Sequence, residues 1–311
     1  MKKIGVYFSD PGEMDYPFTD RLYLEAHQRF AKEMAVVDVK VVVVRGEMSH
    51  IADTRFTHYW EYTEEGVMRH DKEIKLDLIY NKSTLPLPAR FPLDATFNHP
   101  KLDAICHDKM LSFEYFADYM PKSLHIDASN WHDVIKELRT STITLKPLEG
   151  EGGSGISFHE RSSFDGSTFH FKEKYLAQEF IDTSHGIPGV TPGLHDLRIL
   201  VFNGQAKLAV VRIPAPGMLL ANIAQGATTH PVNLARIPQE ILDIVKKVDA
   251  KLTEFEPRIY SIDFLVGPEG AFVVELNSRP GFPHPNRQGE DYASTFFACH
   301  RDVLGKYLHA K

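Results

Sequence analysis

The chain has 311 residues, 43% of them hydrophobic and 25% charged, with a formal charge of −7 at pH 7. That length supports two or three lobes with sizeable cores, and the acidic total argues against nucleic acid as the main partner. Two cysteines, Cys106 and Cys299, leave no room for a disulfide framework and fit a reducing, cytoplasmic setting.

The N-terminal Lys2-Lys3 precede an apolar run, Ile4–Phe8, that stops at Ser9-Asp10. It is too short for a secretory core and is expected to be a first strand. No run approaches 18 apolar residues, so no membrane partner is expected. The sixteen histidines are scattered without His-x-x-x-His spacing, and none is assigned to zinc.

The first lobe, residues 1–100, reads as α/β. Leu22, Ala26 and Phe30 predict a helix from about 19 to 34. Residues 36–44 are β-branched and nearly continuous, as in a buried strand. Residues 57–73 suggest a hairpin turning near Glu64-Glu65-Gly66, and 76–80 another strand. Strands alternating with helices favour a parallel sheet whose ligands lie beyond its carboxyl ends, which puts Asp10 and Asn81 near a candidate site. Both equally suit plain turns.

Prolines between 85 and 92 mark a linker. In the middle lobe, residues 101–175, Asp108 is expected to cap a helix reaching 120, with a second helix over 131–139. A strand over 141–148 then runs into Glu149-Gly150-Glu151-Gly152-Gly153-Ser154-Gly155, and 156–159 resumes as strand. In the last lobe, 176–311, strands 196–203 and 205–213 flank Asn203-Gly204, a hairpin signal. An amphipathic helix follows over 238–255, then a hairpin of 259–266 with 271–276, and a closing helix over 292–308. Residues 187–193, a loop with two prolines, look like an insertion that serves as a lid over the acceptor.

The strongest chemical signal lies on the last hairpin. Asp263 sits inside an apolar strand, Glu275 and Asn277 point to one face of the next, and the turn pairs Asp263 roughly with Glu275. Two such carboxylates repel unless a cation joins them, and an oxygen set with open positions suits Mg²⁺. Alone, the pattern also suits the solvated face of an edge hairpin. The glycine-rich loop lacks P-loop order, yet Gly152, Gly153 and Ser154 after Lys146 suit closure over a triphosphate as well as an ordinary turn. Lys109, Lys146, Arg198 and Arg212 are cations at positions that need anionic partners, a polyphosphate or surface acids.

Taken in order, these parts resemble the ATP-grasp superfamily, and within it bacterial glutathione synthetases. The matching positions are Cys106-His107-Asp108-Lys109, Leu145-Lys146-Pro147, Gln178-Glu179-Phe180-Ile181, Asp196-Leu197-Arg198, Arg212-Ile213-Pro214 and Glu275-Leu276-Asn277-Ser278-Arg279. The resemblance is more distant to D-alanine–D-alanine ligases and ribosomal-protein glutamate ligases. It implies an ATP-grasp fold with an N-terminal α/β domain and nucleotide held between two β-rich lobes. It further implies that Lys109 and Lys146 hold phosphates and that Gln178, Glu179, Phe180 and Ile181 form an adenine-reading hinge. Arg198, Arg212 and Asn222 would act at the γ-phosphate, and Asp263, Glu275 and Asn277 would carry two Mg²⁺, with Mn²⁺ as a substitute. The implied reaction joins a small-molecule carboxylate to an amine through an acyl phosphate, giving ADP and phosphate, and such relatives commonly form homo-oligomers. Residues 279–287 depart from the family, so Arg279 and Arg287 are only candidates to hold a substrate carboxylate. An ATP-grasp kinase and a non-catalytic nucleotide-binding protein are the competing readings.

Overall fold

A computed structural model describes residues 1–10, 17–83, 85, 87–148, 153–171, 174–221, 223, 226–310. The first lobe contains β1 (Lys2–Phe8), α1 (Arg21–Ala35), β2 (Val39–Arg45), β3 (His50–Ala52), β4 (Arg55–Phe56), β5 (Tyr59–Tyr62), β6 (Val67–His70), β7 (Ile74–Lys75), β8 (Leu78–Asn81) and β9 (Thr96–Phe97). Six of these strands form one sheet in the order β6-β5-β2-β1-β8-β9, and β3, β4 and β7 form a small separate one. Strands β1, β2, β8 and β9 run parallel, and β5–β6 is the expected hairpin. The helix starts where a cap exists: Asp20 accepts from the Leu22 and Tyr23 amides at 2.9 and 3.3 Å. Residues 36–38 belong to the turn after α1, with Asp38 left-handed, so β2 begins later than its β-branched run suggests.

The middle region adds α2 (Pro100–His107), α3 (Lys109–Phe116), β10 (Ser123–Ile126), α4 (Trp131–Glu137), β11 (Thr142–Pro147), β12 (Ser157–Glu160) and β13 (Tyr175–Glu179). Asp108 caps α3 as expected, through the amides of Met110 and Leu111. The helix stops at Phe116 and continues as a short 3₁₀ turn, not to 120. Helix α2 precedes the helix expected from Asp108, and Pro100 at its first position is a usable start signal. Strands β10-β13-β11-β12 form an antiparallel sheet packed on α4. β13 pairs along its length with β11, so the chain leaves this sheet after Glu179 rather than at 175.

The last sheet, in the order β16-β15-β14-β17-β18, is built from β14 (Asp196–Phe202), β15 (Gln205–Ile213), β16 (Thr228–Val232), β17 (Ile259–Gly267) and β18 (Gly270–Asn277). Helices α5 (Gln239–Ala250), α6 (Pro285–Gln288) and α7 (Glu290–Ala310) complete the chain. Successive strand residues face opposite ways, and here both faces are buried. Leu197, Ile199, Val201, Tyr260 and Ile262 pack with Ile241, Val245 and Val248 of α5. Leu200, Phe202, Leu208, Val210 and Ile259 pack with Phe296 and Phe297 of α7 and with the first lobe's β1 and α1. Residues 187–193 do not form a free lid. Ile187 is buried in the α5-side core, bridges to Thr191, and Gly189 O accepts from Arg236.

Asn98 stitches the first lobe to this sheet. Its Nδ2 donates to Ile259 O and Ser278 O, each at 2.6 Å, and its Oδ1 accepts from the Ile259 amide at 2.9 Å. Asn98→Ala strands three buried backbone groups and is expected to lower stability by about 1–3 kcal/mol in urea unfolding.

Candidate active site

On the α7-facing side of the last sheet, the apolar residues give way to charge where α7 ends its cover. Arg198, Arg212, Asp196 and Asp263 occupy the same face as Leu200, Val210 and Ile259, further along each strand. Arg198 donates to both Asp263 oxygens at 2.7 Å. Arg212 bridges Asp263 and Asp196, the latter at 2.6 Å. Asp263 is 2% exposed. Burial pushes its carboxyl up, but Arg198 and Arg212 overcome this and hold it well below the usual carboxylate range.

Asp263 pairs with Glu275 across β17 and β18, as the sequence suggested. A regular hairpin closing on Gly267 and Gly270 would set Asp263 opposite Val274. A bulge next to Asp263 moves the register by one and brings Glu275 there instead. Glu275 lies open to the cleft, and partial desolvation followed by the Asp263 charge raises its pKa. Asn277 Oδ1 accepts from the Arg279 amide at 2.7 Å.

This floor opens into a cavity of about 330 Å³ between the last two sheets. Its other walls carry Lys109, Lys146, Gly153 and Gln178, Glu179, Phe180, Ile181. Lys109 Nζ donates to Leu148 O at 3.2 Å. Burial depresses Lys146 to about 8; Glu275 opposes this and Lys109 adds to it. Gln178 is buried against Ser123 Oγ, and the Glu179 carboxylate accepts from the Arg139 amide. The chain passes from the middle sheet to the last one close to Gly267, where a Cβ would lie 3.0 Å from Ile181 Cγ2. Ser154 is exposed in the turn before β12 and does not line the cavity. Gly152 and Asn222 lie outside the described residues.

Several expected residues are placed elsewhere. Arg279 borders the cavity, but its guanidinium donates to the carbonyls of Ser83 and Leu85, holding a first-lobe loop. Arg287 is half exposed, 3.7 Å from Asp20, and is not among the cavity residues. Asp10 pairs with buried Arg45, and the Asn81 side chain accepts from Ser83 in a turn, so both keep the bland role. Conversely, Cys106, His107, His195, Asp196 and residues 219–221 line the cavity without having been singled out as site residues. Asp196 had a signal, since it stands two residues before Arg198 and therefore on the same face. His195 had none.

Residues 108–265 match the family model described as prokaryotic glutathione synthetase, ATP-grasp domain. The chain belongs to this ATP-grasp family. A glutathione synthetase from Agrobacterium fabrum is 30% identical over 208 residues, 65% of this chain and 60% of the relative. A probable alpha-L-glutamate ligase from Shewanella halifaxensis is 28% identical over 154 residues, 48% of this chain and 30% of that protein. The chain thus spans less than two thirds of the length of these curated relatives. Among solved structures, the VanG D-Ala:D-Ser ligase from Enterococcus faecalis superposes with a TM-score of 0.66 at 13% identity, covering 99% of both chains. The ATP-grasp ligase PsnB, complexed with a phosphomimetic precursor variant, Mg and ADP, gives 0.62 at 14% identity, covering 98% of both. The ATP-grasp fold therefore extends over nearly the whole chain. Among the described residues no helix is long and apolar enough to cross a membrane.

The ATP-grasp family uses ATP and Mg²⁺, and the donor chemistry here fits the metal. Among the described residues no three His, Cys, Asp or Glu side chains converge. The oxygen set is therefore two facing carboxylates and one amide, and at Glu275 desolvation and the Asp263 charge outweigh the pull of Arg198, Lys109 and Arg212. Arg198→Met leaves the buried Asp263 with one cation and is expected to cost about 3 kcal/mol in urea unfolding. Arg287→Met, which removes only a loose exposed pair, should leave the unfolding midpoint unchanged.

Proposed function

We propose that this chain is an ATP-dependent, ADP-forming ligase that joins a small carboxylate to an amine. The observation that carries this reading is the facing Asp263 and Glu275 pair, set among Arg198, Arg212, Lys109 and Lys146 in one cavity. The cations suit triphosphate, with Lys109 and Lys146 on the wall and the two arginines on the floor. Gln178, Glu179, Phe180 and Ile181, beside Phe158 and Leu265, suit an adenine ring flanked by apolar side chains and read by backbone groups. Asp263, Glu275 and Asn277 would hold Mg²⁺, which when bound neutralises phosphate charge during transfer.

In the proposed reaction the substrate carboxylate attacks the γ-phosphorus in line. Arg198 and Arg212 are already fixed by Asp263 and Asp196, so they meet the developing charge without reorganising. The amine nitrogen then attacks the acyl carbon of the resulting acyl phosphate, the C–O bond to phosphate breaks, inorganic phosphate leaves, and the nitrogen gives up a proton to leave the amide. The middle sheet, standing over the floor, limits water that would hydrolyse this intermediate. We further place the nucleotide lobes at 101–179 and 180–311, in a cytoplasmic enzyme.

Phosphate release is to be screened with Mg-ATP and amino acids or small acids, singly and in pairs. Release that requires both a carboxylate and an amine supports the ligase, and phosphate retained on the product indicates a kinase. Glu275→Ala should reduce turnover at least about a hundredfold. Its melting temperature should be held or raised, because the substitution relieves the repulsion with Asp263. Lys146 gives a pH signature. Its ammonium is charged below about 8 and neutral above, so Mg-ADP affinity in the free enzyme should fall roughly tenfold from pH 7 to 9. Lys146→Arg, charged throughout, should flatten that profile in titration calorimetry.

A further inference from the structure

The segment after β15 breaks the polar character of the cavity. It leaves Arg212, whose guanidinium touches Asp263, and within eight residues presents Met218-Leu219-Leu220. Met218 is 41% exposed, Leu219 47% and Ile223 48%, among the few large apolar side chains on the surface. Leu219, Leu220 and Ala221 line the same cavity as Arg212, Asp196 and Glu275. The position is set by short-range structure: the Met218 amide donates to Ala215 O at 2.9 Å, and Gly226 donates to Ile223 O at 3.1 Å. Thus Leu219 and Leu220 stand as an aliphatic ledge on the wall of a cavity whose interior carries the cations, with Met218 exposed next to them in the chain.

Exposed contiguous aliphatic side chains at a cavity mouth mark where apolar surface is to be covered. Adenine does not account for this ledge, since Phe158, Ile181 and Leu265 already supply apolar walls beside the hinge residues. A second subunit is a poor occupant, because a stable interface buries about 800 Å² on each partner and this ledge is only a few side chains wide. What remains is a substrate whose charged end reaches the arginines while its side chain rests on the rim.

We infer that Met218, Leu219 and Leu220 form a specificity subsite for an amino acid, or the end of a short peptide, carrying an aliphatic or aromatic side chain. This rests on the ligase reading and deepens it. An acidic or amide side chain placed there would lose its hydration without gaining a partner, so such substrates are disfavoured.

The test measures phosphate release with Mg-ATP over glycine, alanine, leucine, phenylalanine and glutamate, supplied in pairs. Wild type is expected to show kcat/KM for leucine or phenylalanine on the order of tenfold above glycine and glutamate. In Met218→Gln/Leu219→Gln the leucine-to-glycine ratio should fall about tenfold, mostly through KM. A wild-type preference for glutamate, or equal losses for glycine and leucine, overturns the subsite and leaves the ligase reading standing. Silence with every pair counts against the ligase reading instead. The subsite is then read by thermal shift with leucine or phenylalanine plus Mg-ADP: a rise in wild type that the double variant lacks supports it, and no rise overturns it. A change of sedimentation coefficient between wild type and variant assigns the ledge to a subunit contact and overturns the proposal. Should the double variant melt early, Leu219→Gln alone carries each comparison.

Discussion

The carboxylate of Asp263, buried in β17 and held by Arg198 on one neighbouring strand and Arg212 one strand further, fixes the geometry on which the candidate site depends. A lone buried carboxylate costs several kcal/mol, so each of these groups requires the others. Asp196 completes the arrangement by taking the second side of Arg212. The result is a row of alternating charge across three strands. Its backbone is held by ladder hydrogen bonds, and its side chains are held by each other. Glu275 lies beside the row, where desolvation and Asp263 outweigh the pull of Arg198, Lys109 and Arg212, so it is an acid with much to gain from a metal.

That row exists because one sheet face does two jobs. Toward one end it is apolar and sandwiched by α7 against the first lobe; toward the other it is charged and forms a cavity floor. Several contacts tie the first lobe to the loop after β18. Asn98 holds Ser278 O, Lys82 Nζ donates to Pro280 O at 2.7 Å, and Arg279 reaches back to the carbonyls of Ser83 and Leu85. Lys82 also lies 4.4 Å from the Phe282 ring centre, and burial, together with Arg279, lowers it to about 7. These contacts set the position of the loop next to Asn277, so that the first lobe braces the cavity it adjoins. Arg279 thereby ties the lobes together, a contact invisible in a sequence where it reads as a candidate to hold a substrate carboxylate.

Local signals carried the fold a long way. Asn203-Gly204 is a hairpin turn with both residues at positive φ, Asp20 and Asp108 are caps, and strand Val39–Arg45 shows its burial in its own composition. Each rests on backbone preferences acting over a few residues, which sequence records directly. Period-two spacing likewise put Glu275 and Asn277 on one side of β18. The structure departs from these local signals where the deciding contact is distant. Residues 187–193 have the turn chemistry of a mobile loop, yet Ile187 found a place in the α5-side core. The limit of the middle sheet was set by the pairing of β13 with β11, which no residue near 175 announces.

The sequence by itself determined the kinds of groups present and their order: a lysine before a glycine-rich turn, arginines on strands, and two acids and an amide on the last hairpin. It also determined the turn between those acids, because Gly267 and Gly270 are local features. Only the tertiary structure decided who faces whom. The pairing of Asp263 with Glu275 is legible from the turn, but the bulge that sets it in register and the commitment of both arginines to Asp263 are not. Packing against the first lobe commits the Arg279 guanidinium to the carbonyls of Ser83 and Leu85 at the edge of the cavity, while Leu219 is left exposed at that cavity. The physical reason is that ion pairing and burial depend on neighbours brought together across tens or hundreds of residues, whereas caps, turns and strand periodicity are settled within a handful.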